Sequence, residues 1–304
     1  MNIQSVHSLT ITTLVENSAT SFLLGQWGLS FFLELTDAKN RQRKIIFDTG
    51  KDKRALLQNI RFLKKDLSNV DCIVLSHGHL DHTAATVEIV KAAGGTKVYA
   101  HPHTFLSRYH KSKDGKARRI GVPKKEGIAE IEKAGGKVIL TSRPTEILPG
   151  LWTTGQIPRT TEFENVMHLP EGEKLVVCVD EKETDDQILD DQALYAHIKD
   201  VGAYIITGCA HSGLINTLSH VRKIGDFSQV TGVVGGTHLI NRSDEYIHRT
   251  IKELNRVKMN LISPCHCTGF KAQTRLWEAF PNAFVLNYSG RIIEAGKEPK
   301  PRII

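Results

Sequence analysis

The sequence predicts an α/β fold in which short buried strands alternate with amphipathic helices. Short apolar runs recur along the chain, and most are followed by a stretch whose apolar residues have helical spacing. Two of these stretches end in paired glycines, as "KAAGG" and "EKAGG" do, which is typical of a helix end. Motifs rich in histidine and glycine follow the predicted strands directly. In α/β proteins, that edge of the sheet is where ligands bind.

The first half of the chain alternates regularly between the two element types. Strands are predicted at "KIIFDTG" (44–50), "DCIVLS" (71–76), "KVYAH" (97–101) and "KVIL" (137–140). Helices are predicted at "KRALLQNIRFL" (53–63), "TAATVEIVKAAGG" (83–95) and "EGIAEIEKAGG" (126–136).

The second half begins with short strands and then returns to alternation. The short strands are "EILPG" (146–150), "LWTTG" (151–155) and "KLVVCVD" (174–180). Helices follow at "DQALYAHIK" (191–199), "LINTLSHVRKI" (214–224), "DEYIHRTIKELNRV" (244–257) and "AQTRLWEAF" (272–280), with strands at "AYIITG" (203–208), "QVTGVVGG" (229–236), "NLISP" (260–264) and "AFVLN" (283–287). No long polar linker divides the chain, so residues 1–304 are expected to form one domain.

Composition excludes several classes of protein. Hydrophobic residues make up 40% of the 304 and charged residues 24%, which is the balance of a globular protein and not of a disordered or fibrous one. No segment approaches the roughly 18–20 apolar residues of a membrane span, and the start of the chain does not resemble a secretory signal. The five cysteines are odd in number and scattered, so they are expected to be reduced. We therefore expect a cytoplasmic protein.

Much of the net charge of +7 comes from one basic segment, at about 106–125. Such a charge run is either a solvated loop or a mobile flap that attracts a small anionic substrate. A nucleic-acid partner is not expected, because the basic run lacks the interleaved aromatic residues of a single-strand binding surface. The sequence does not predict the oligomeric state.

The motif "SHGHLDHT" (76–83) concentrates three histidines and an aspartate directly after a predicted strand. His77 and His79 point the same way in an extended chain and can reach one metal ion. Asp81 and His82 fall on the next bend and can turn towards a second ion. This donor set suits zinc, and manganese or iron are also acceptable. The alternative is a helix start capped by Asp81, with the histidines as incidental polar loop residues.

These residues resemble a known family. "SHGHLDHT" matches the HxHxDH signature of the metallo-β-lactamase superfamily, and "IIFDTG" matches the strand that ends in its supporting aspartate, here Asp48. The resemblance implies a four-layer αβ/βα sandwich with a dinuclear metal site along one edge. More narrowly, five further stretches are similar to the 7,8-dihydropterin-6-yl-methyl-4-(β-D-ribofuranosyl)aminobenzene 5′-phosphate synthase branch, namely "TLVEN" (13–17), "TTGQIPRTTEFE" (153–164), "GCAHSGLINTL" (208–218), "GGTHL" (235–239) and "SPCHCTG" (263–269).

The pattern departs from the family at three positions. Trp27 and Gln156 stand where histidines are expected, and Cys209 stands where an aspartate would bridge the two metals. His211, two positions beyond Cys209, is the natural replacement ligand. One metal is then expected on His77, His79 and His211, and the other on Asp81, His82 and His266. Cys209 either adds a thiolate or packs behind the site.

For other residues near these motifs, the sequence leaves alternative roles open. His238 binds substrate or orients a ligand, and with Asp81 it is a candidate catalytic residue. Asp48 accepts a hydrogen bond from a ligand histidine or belongs to an Asp-Thr-Gly turn. Arg159 binds a substrate phosphate or pairs with a nearby glutamate. In "CHC" (265–267), neighbouring residues of a strand point to opposite sides, which argues against a zinc-finger site. The family resemblance implies that His266 is a ligand and that the two cysteines pack.

The predicted activity is metal-dependent hydrolysis of a phosphoester or phosphodiester. Two divalent ions roughly 3.5–4 Å apart can share one water, lower its pKa to about neutral and stabilise the developing negative charge. Asp81 would be a ligand that also orients this hydroxide. The resemblance also implies activity like that of the dihydropterin-ribofuranosylaminobenzene phosphate synthases. The alternatives are hydrolysis of lactams or lactones and a non-catalytic sensor of metal or ligand.

Overall fold

Three β-sheets organise the part of the chain that this computed structural model describes, residues 4–164, 169–227 and 229–302. The strands are β1 (Ser8–Val15), β2 (Ser30–Thr36), β3 (Gln42–Phe47), β4 (Cys72–Val74), β5 (Lys97–Ala100), β6 (Ser107–Lys111), β7 (Ala117–Arg119), β8 (Lys137–Leu140), β9 (Thr145–Leu148), β10 (Leu151–Thr153), β11 (Lys174–Val179), β12 (Lys182–Asp185), β13 (Ala193–Ile198), β14 (Gly202–Thr207), β15 (Val230–Gly236), β16 (Leu261–Cys265), β17 (Ile292–Ala295) and β18 (Lys300–Arg302).

Two of the sheets face each other across the main hydrophobic core. The first has the order β18-β17-β1-β2-β3-β4-β5-β8, and the second has the order β16-β15-β14-β13-β10-β9. Because side chains alternate along a strand, Phe31 and Leu33 of β2 point into this core, where they join Ile206 and Val234 of the second sheet. Phe32, between them, points to the opposite face of its sheet.

Helices cover the outer face of each sheet. They are α1 (Lys53–Phe62), α2 (Leu80–Thr83), α3 (Thr86–Ala92), α4 (Ile128–Lys133), α5 (Leu214–Gly225), α6 (Asp244–Leu254) and α7 (Phe270–Ala279). Leu56 of α1 and Ile89 of α3 pack with Phe32 on the first sheet. Leu218 of α5 and Leu276 of α7 pack on the second sheet. The layers therefore run helix, sheet, sheet, helix, which confirms the predicted four-layer αβ/βα sandwich. No helix in the described ranges is long and apolar enough to cross a membrane.

Two of the predicted elements were wrong. Residues 191–199 were predicted as a helix, but they contain strand β13, which pairs with β10 and β14. Leu194 and Ala196 face the core between the sheets, whereas Ala193 and Tyr195 face the helices. Because both faces are buried, the alternation that marks a strand is lost. Residues 283–287 were predicted as a strand, but they form only one isolated bridge, from Phe284 to Ile262.

The basic segment folds as part of the third sheet, of order β12-β11-β6-β7. Strands β6 and β7 form a hairpin in which His110 lies opposite Arg118. Residues directly opposite each other point to the same face of a sheet, so these two side chains lie together. The segment is therefore largely an ordered hairpin. It is not the solvated loop that was one of the two expectations. Whether it moves as a flap stays a prediction.

Arg108 of β6 anchors this small sheet to the sandwich. Its side chain is 1% exposed, and it pairs with Asp186 (Nε to Oδ2, 2.7 Å) and with Asp190 (Nη2 to Oδ1, 2.5 Å). The other Asp190 oxygen accepts a hydrogen bond from the Gly78 backbone N–H at 2.7 Å. The loop that carries His77 and His79 is therefore tied to the small sheet through one buried ionic network.

We expect the Arg108→Met variant to lose about 3–5 kcal/mol of unfolding free energy, because two buried carboxylates would be left without their cation. The measurement is urea denaturation of the full chain. Lys116→Met is the matched control, because Lys116 pairs with Asp114 at the surface, where ion pairs contribute about 0–1 kcal/mol. Equal losses in the two variants would contradict this role of Arg108.

Candidate metal centre

The candidate metal centre lies along one edge of the sandwich, where several strands end. Asp48 directly follows β3, the histidine motif follows β4, and Cys209, His238 and His266 follow β14, β15 and β16. Four non-glycine residues in these turns have a left-handed backbone, namely Asp48 (φ 59°), Ala210 (φ 55°), His238 (φ 49°) and His266 (φ 53°). Each such residue costs roughly 1–3 kcal/mol. The turns that aim the side chains inward are therefore strained, as is common at functional sites.

One group of three imidazoles contains His77, His79 and His211. His77 Nε2 lies 3.0 Å from His79 Nδ1 and 3.2 Å from His211 Nε2. One ligand atom from each residue can be chosen so that all lie within 4.8 Å of one another. The His79 Nε2 and His211 Nδ1 atoms are buried without a hydrogen-bond partner. The structure thus brings together the three residues expected around the first metal.

A second group contains Asp81, His82 and His266. His82 Nε2 lies 3.2 Å from His266 Nε2, and Asp81 Oδ2 lies 3.5 Å from His266 Nε2. Their ligand atoms also lie within 4.8 Å of one another. This group is the one expected around the second metal. The rings of His77 and His82 are 4.3 Å apart, so the two groups are neighbours.

The hydrogen bonds of the histidines fit a metal-ligand role. The Nδ1 atoms of His77, His82 and His266 face oxygens of Ser76 (2.9 Å), Asp48 (2.7 Å) and Asn17 (3.0 Å). A neutral imidazole that donates from Nδ1 carries a lone pair on Nε2. Lone pairs that face one another in a buried site repel, and a shared cation would remove that repulsion. The donor set therefore fits divalent cations.

Asp48 holds the His82 ring and the backbone of the histidine motif in place through hydrogen bonds. One of its oxygens accepts hydrogen bonds from the Ser76 hydroxyl (2.6 Å) and the His82 ring, and the other accepts the Ser76 N–H (2.7 Å). Burial opposes a charged imidazole, but the Asp48 carboxylate outweighs it and raises the pKa of His82 to about 9. The predicted contact between Asp48 and a ligand histidine is present.

Burial sets the protonation of the first group. Desolvation lowers the pKa of His79 to about 4 and, with the neighbouring histidines, lowers the pKa values of His77 and His211 well below the usual range. These imidazoles are therefore neutral at pH 7, the form that binds metals. Burial works against ionisation of Asp81, but contact with His266 lowers the pKa of its carboxyl, which stays charged.

Cys209 and His238 lie beside the two groups. Cys209 Sγ is 3.2 Å from His82 Nε2, and it also belongs to a candidate group with His77 and His82. The His238 ring is 4.2 Å from the His211 ring, and both of its nitrogens are buried. Burial raises the pKa of the Cys209 thiol well above its usual range. Both residues line the cavity above the histidines.

The two cysteines of the "CHC" triplet differ from each other. Cys265 ends β16 and packs in the core between the sheets, as expected. Cys267 instead lines the cavity beside His266. The expectation that it points away from His266 assumed a continuing strand, but His266–Thr268 form a 3₁₀ turn that begins with a left-handed residue. Neighbouring residues of such a turn can face the same side.

Two residues singled out in the sequence lie elsewhere. Gln156 is exposed and is not among the residues that line the cavity, whereas His211 is. The Arg159 guanidinium donates to the Gln187 carbonyl (Nη2 to O, 2.6 Å) and does not line the cavity either. The Glu164 carboxylate accepts the Ile215 and Asn216 backbone N–H groups, and no ion pair of Arg159 with Glu162 or Glu164 is found among the described residues.

A cavity of about 470 Å³ opens above the two groups. Lys51, His110 and Arg118, which the sequence did not single out individually, supply basic groups in its walls. Trp27, which stands where the family pattern has a histidine, also lines the cavity, and its ring centroid lies 5.2 Å from that of His266. His110 also pairs with Glu173 (2.6 Å). The net charge of segment 106–125 was the only sequence signal for His110 and Arg118, because only the hairpin places them at the cavity.

The fold and this clustering define a candidate metal site of the metallo-β-lactamase type, and comparison with known proteins agrees on the fold family. Residues 29–169 match the model of the metallo-β-lactamase superfamily. Together with the relatives below, this match shows that the chain belongs to the metallo-β-lactamase superfamily.

Two curated relatives come from Methanocaldococcus jannaschii. The chain is 32% identical, over 97% of its length and 99% of the relative, to a 7,8-dihydropterin-6-methyl-4-(β-D-ribofuranosyl)-aminobenzene-5′-phosphate synthase. It is 33% identical, over 93% of its length and 99% of the relative, to an uncharacterized protein. The resemblance to this branch is therefore confirmed.

Solved structures show the same fold. Tm1679, described as a metal-dependent hydrolase of the β-lactamase superfamily, superposes with a TM-score of 0.77 at 25% identity, covering 95% of this chain and 99% of that one. YhfI from Bacillus subtilis, a metallo-β-lactamase fold protein, has a TM-score of 0.55 at 11% identity, covering 95% and 100%.

We expect the Asp48→Asn variant to bind metal roughly 10–100-fold more weakly, because the amide cannot replace the charged acceptor behind His82. The measurement is the dissociation constant for Zn²⁺ from competition with a chelating dye. Asp114→Asn, at an exposed turn, is the control and should bind as the unaltered protein does. Unchanged affinity in Asp48→Asn would show that Asp48 only shapes the turn.

Proposed function

We propose that this protein hydrolyses a phosphoester or phosphodiester with the help of two divalent cations, preferably zinc. The observation that carries this proposal is the placement of two adjacent ligand groups in a cavity whose walls also carry basic side chains. His77, His79 and His211 would hold one cation. Asp81, His82 and His266 would hold the other.

The cations, when bound, supply Lewis acidity and a water of lowered pKa. The chain's own residues then position the reactants. The ionised Asp81 carboxylate can accept a hydrogen bond from the attacking water and so orient it. Asp48 and Asn17 hold the ligand rings of His82 and His266 in fixed orientations. No serine or cysteine nucleophile is needed for this chemistry.

Basic groups at the cavity favour an anionic substrate over a neutral lactam or lactone. Lys51 and Arg118 are exposed at the cavity and have no hydrogen bond that commits them elsewhere among the described contacts. A phosphate oxygen is a natural partner for both. We assign phosphate binding to these two residues, because Arg159 donates to the Gln187 carbonyl instead.

A second candidate is a reaction like that of the synthase relative. The name of that relative describes a phosphate-bearing product, and 32% identity over nearly the whole chain favours a related substrate. Both candidates would use the same cations and the same anion-binding residues.

The decisive experiment is elemental analysis of the purified protein together with a substrate screen. The protein is loaded in turn with Zn²⁺, Mn²⁺ and Fe²⁺ and tested on a chromogenic phosphodiester, phosphomonoester, lactone and β-lactam. We expect at least two ions per chain and turnover of a phosphorus ester. Turnover of the lactam or lactone alone would refute the proposal, and fewer than one ion with no turnover would favour a sensor.

We expect the His211→Ala variant to lose one bound ion and at least 100-fold in phosphodiester turnover, since it removes one of three ligands of the first cation. Gln156→Ala should keep both the metal content and the turnover, because Gln156 does not line the cavity. Metal content is measured by elemental analysis of both variants. If His211→Ala kept both ions, the assignment of His211 would be wrong.

A further inference from the structure

We propose that Cys209, His238 and Cys267 bind a third cation, a soft divalent metal such as zinc, next to the two assigned to the imidazole-rich groups. This inference goes beyond the proposed hydrolysis, and the count of three equivalents in its test rests on the two cations proposed there. It concerns a site of its own, with its own ligands and its own metal preference.

The geometry of the three side chains supports this site. One ligand atom from each can be chosen so that all lie within 4.8 Å of one another. Cys209 is 3% exposed and Cys267 is 2% exposed, and both nitrogens of the His238 ring are buried. The three residues follow three neighbouring strands, β14, β15 and β16. They therefore converge in the same way as the ligands of the first two groups.

The three groups share no ligand. The described residues contain nine side chains that divide into three sets, namely His77, His79 and His211; Asp81, His82 and His266; and Cys209, His238 and Cys267. A third cation would therefore not have to displace either of the first two.

The donor chemistry differs between the groups. The first two offer nitrogen and carboxylate oxygen, whereas the third offers two sulfurs and one nitrogen. Thiolates select soft or borderline metals, and two cysteines with one histidine are a known donor set for zinc with an open fourth position. The His238 backbone N–H also donates to Cys267 Sγ at 3.3 Å, which holds this sulfur beside His238.

Gly236, at the end of β15, leaves room for the Cys267 sulfur. A Cβ atom at Gly236 would lie 2.7 Å from Cys267 Sγ and 2.2 Å from the Gly208 carbonyl oxygen. Only glycine allows the end of β15 to approach this closely. The left-handed turn at His266 then directs both His266 and Cys267 to the cavity.

One competing arrangement uses Cys209 differently. Cys209 also forms a candidate group with His77 and His82, so its sulfur could serve the first two cations instead. In that arrangement Cys267 and His238 would contribute nothing to metal binding. Cys267 is therefore the residue that distinguishes the two arrangements.

The experiment is a titration of the metal-free full-length protein with Co²⁺, under reducing and oxygen-free conditions. Co²⁺ equivalents are counted by elemental analysis, and thiolate ligation is followed by the sulfur-to-cobalt charge-transfer absorption in the near ultraviolet. We expect three equivalents with a thiolate band for the unaltered protein. Cys267→Ala should bind two and lose at least half of the band.

Cys265→Ala is the matched control, because Cys265 is also a buried cysteine but packs in the core. It should keep three equivalents and the full band. His238→Ala tests the same site through its nitrogen ligand if Cys267→Ala does not fold, and it should also bind two equivalents. Near-ultraviolet circular dichroism checks the folding of each variant.

Two results would overturn the inference. One is a limit of two Co²⁺ equivalents in the unaltered protein, and the other is an unchanged third equivalent in Cys267→Ala. The failure of the proposed hydrolysis would look different. Three bound equivalents without turnover of any phosphorus ester would leave this site in place and refute the hydrolase.

Discussion

The convergence of buried imidazole nitrogens is the constraint on which the rest of this structure depends. His77 and His211 face each other through Nε2 at 3.2 Å, and so do His82 and His266. Nitrogens held this close in a buried site require either a shared cation or a rigid frame that holds them. The strained turns at the strand ends and the Asp48 carboxylate behind His82 are parts of that frame. The fold therefore fixes the positions of its candidate ligands, and a fixed arrangement gives a metal site both affinity and selectivity.

The frame extends beyond the two large sheets. Arg108 couples the small sheet to the loop of His77 and His79 through Asp190, so the outer wall of the cavity and the ligand loop are held as one unit. A Cβ atom at Gly78 would lie 2.0 Å from the Thr104 carbonyl and 2.3 Å from the Arg108 guanidinium. Gly78, between His77 and His79, thus allows the Arg108 guanidinium to approach the ligand loop closely. Arg118 lies on this small sheet, so a substrate bound there would contact the same unit that holds the ligand loop.

Local patterns predicted most of the fold because each element carries its own periodicity. The amphipathic helices, the buried strands and the position of the histidine motif after β4 all follow from spacing within about ten residues. The prediction failed at β13, where both faces of the strand are buried and the apolar pattern resembles a helix, and at 283–287, where an apolar run forms a single bridge. In both places the tertiary environment, and not the local pattern, decides the conformation.

The sequence by itself determined the alternation of strands and helices and the candidate ligands from His77 to His82, because their spacing already places them on one loop, and the resemblance of its motifs to a known family implied the sandwich. The strand-end position of His211 also placed that residue among the expected ligands. Only the tertiary structure decided that Cys267 and Arg118 lie beside them, because they come from a turn and from a hairpin and no local signal states that they meet. The backbone conformation at His266 also reversed the expected direction of Cys267. The physical reason is that ligand geometry depends on the dihedral angles of a few turn residues, which side-chain pattern does not encode.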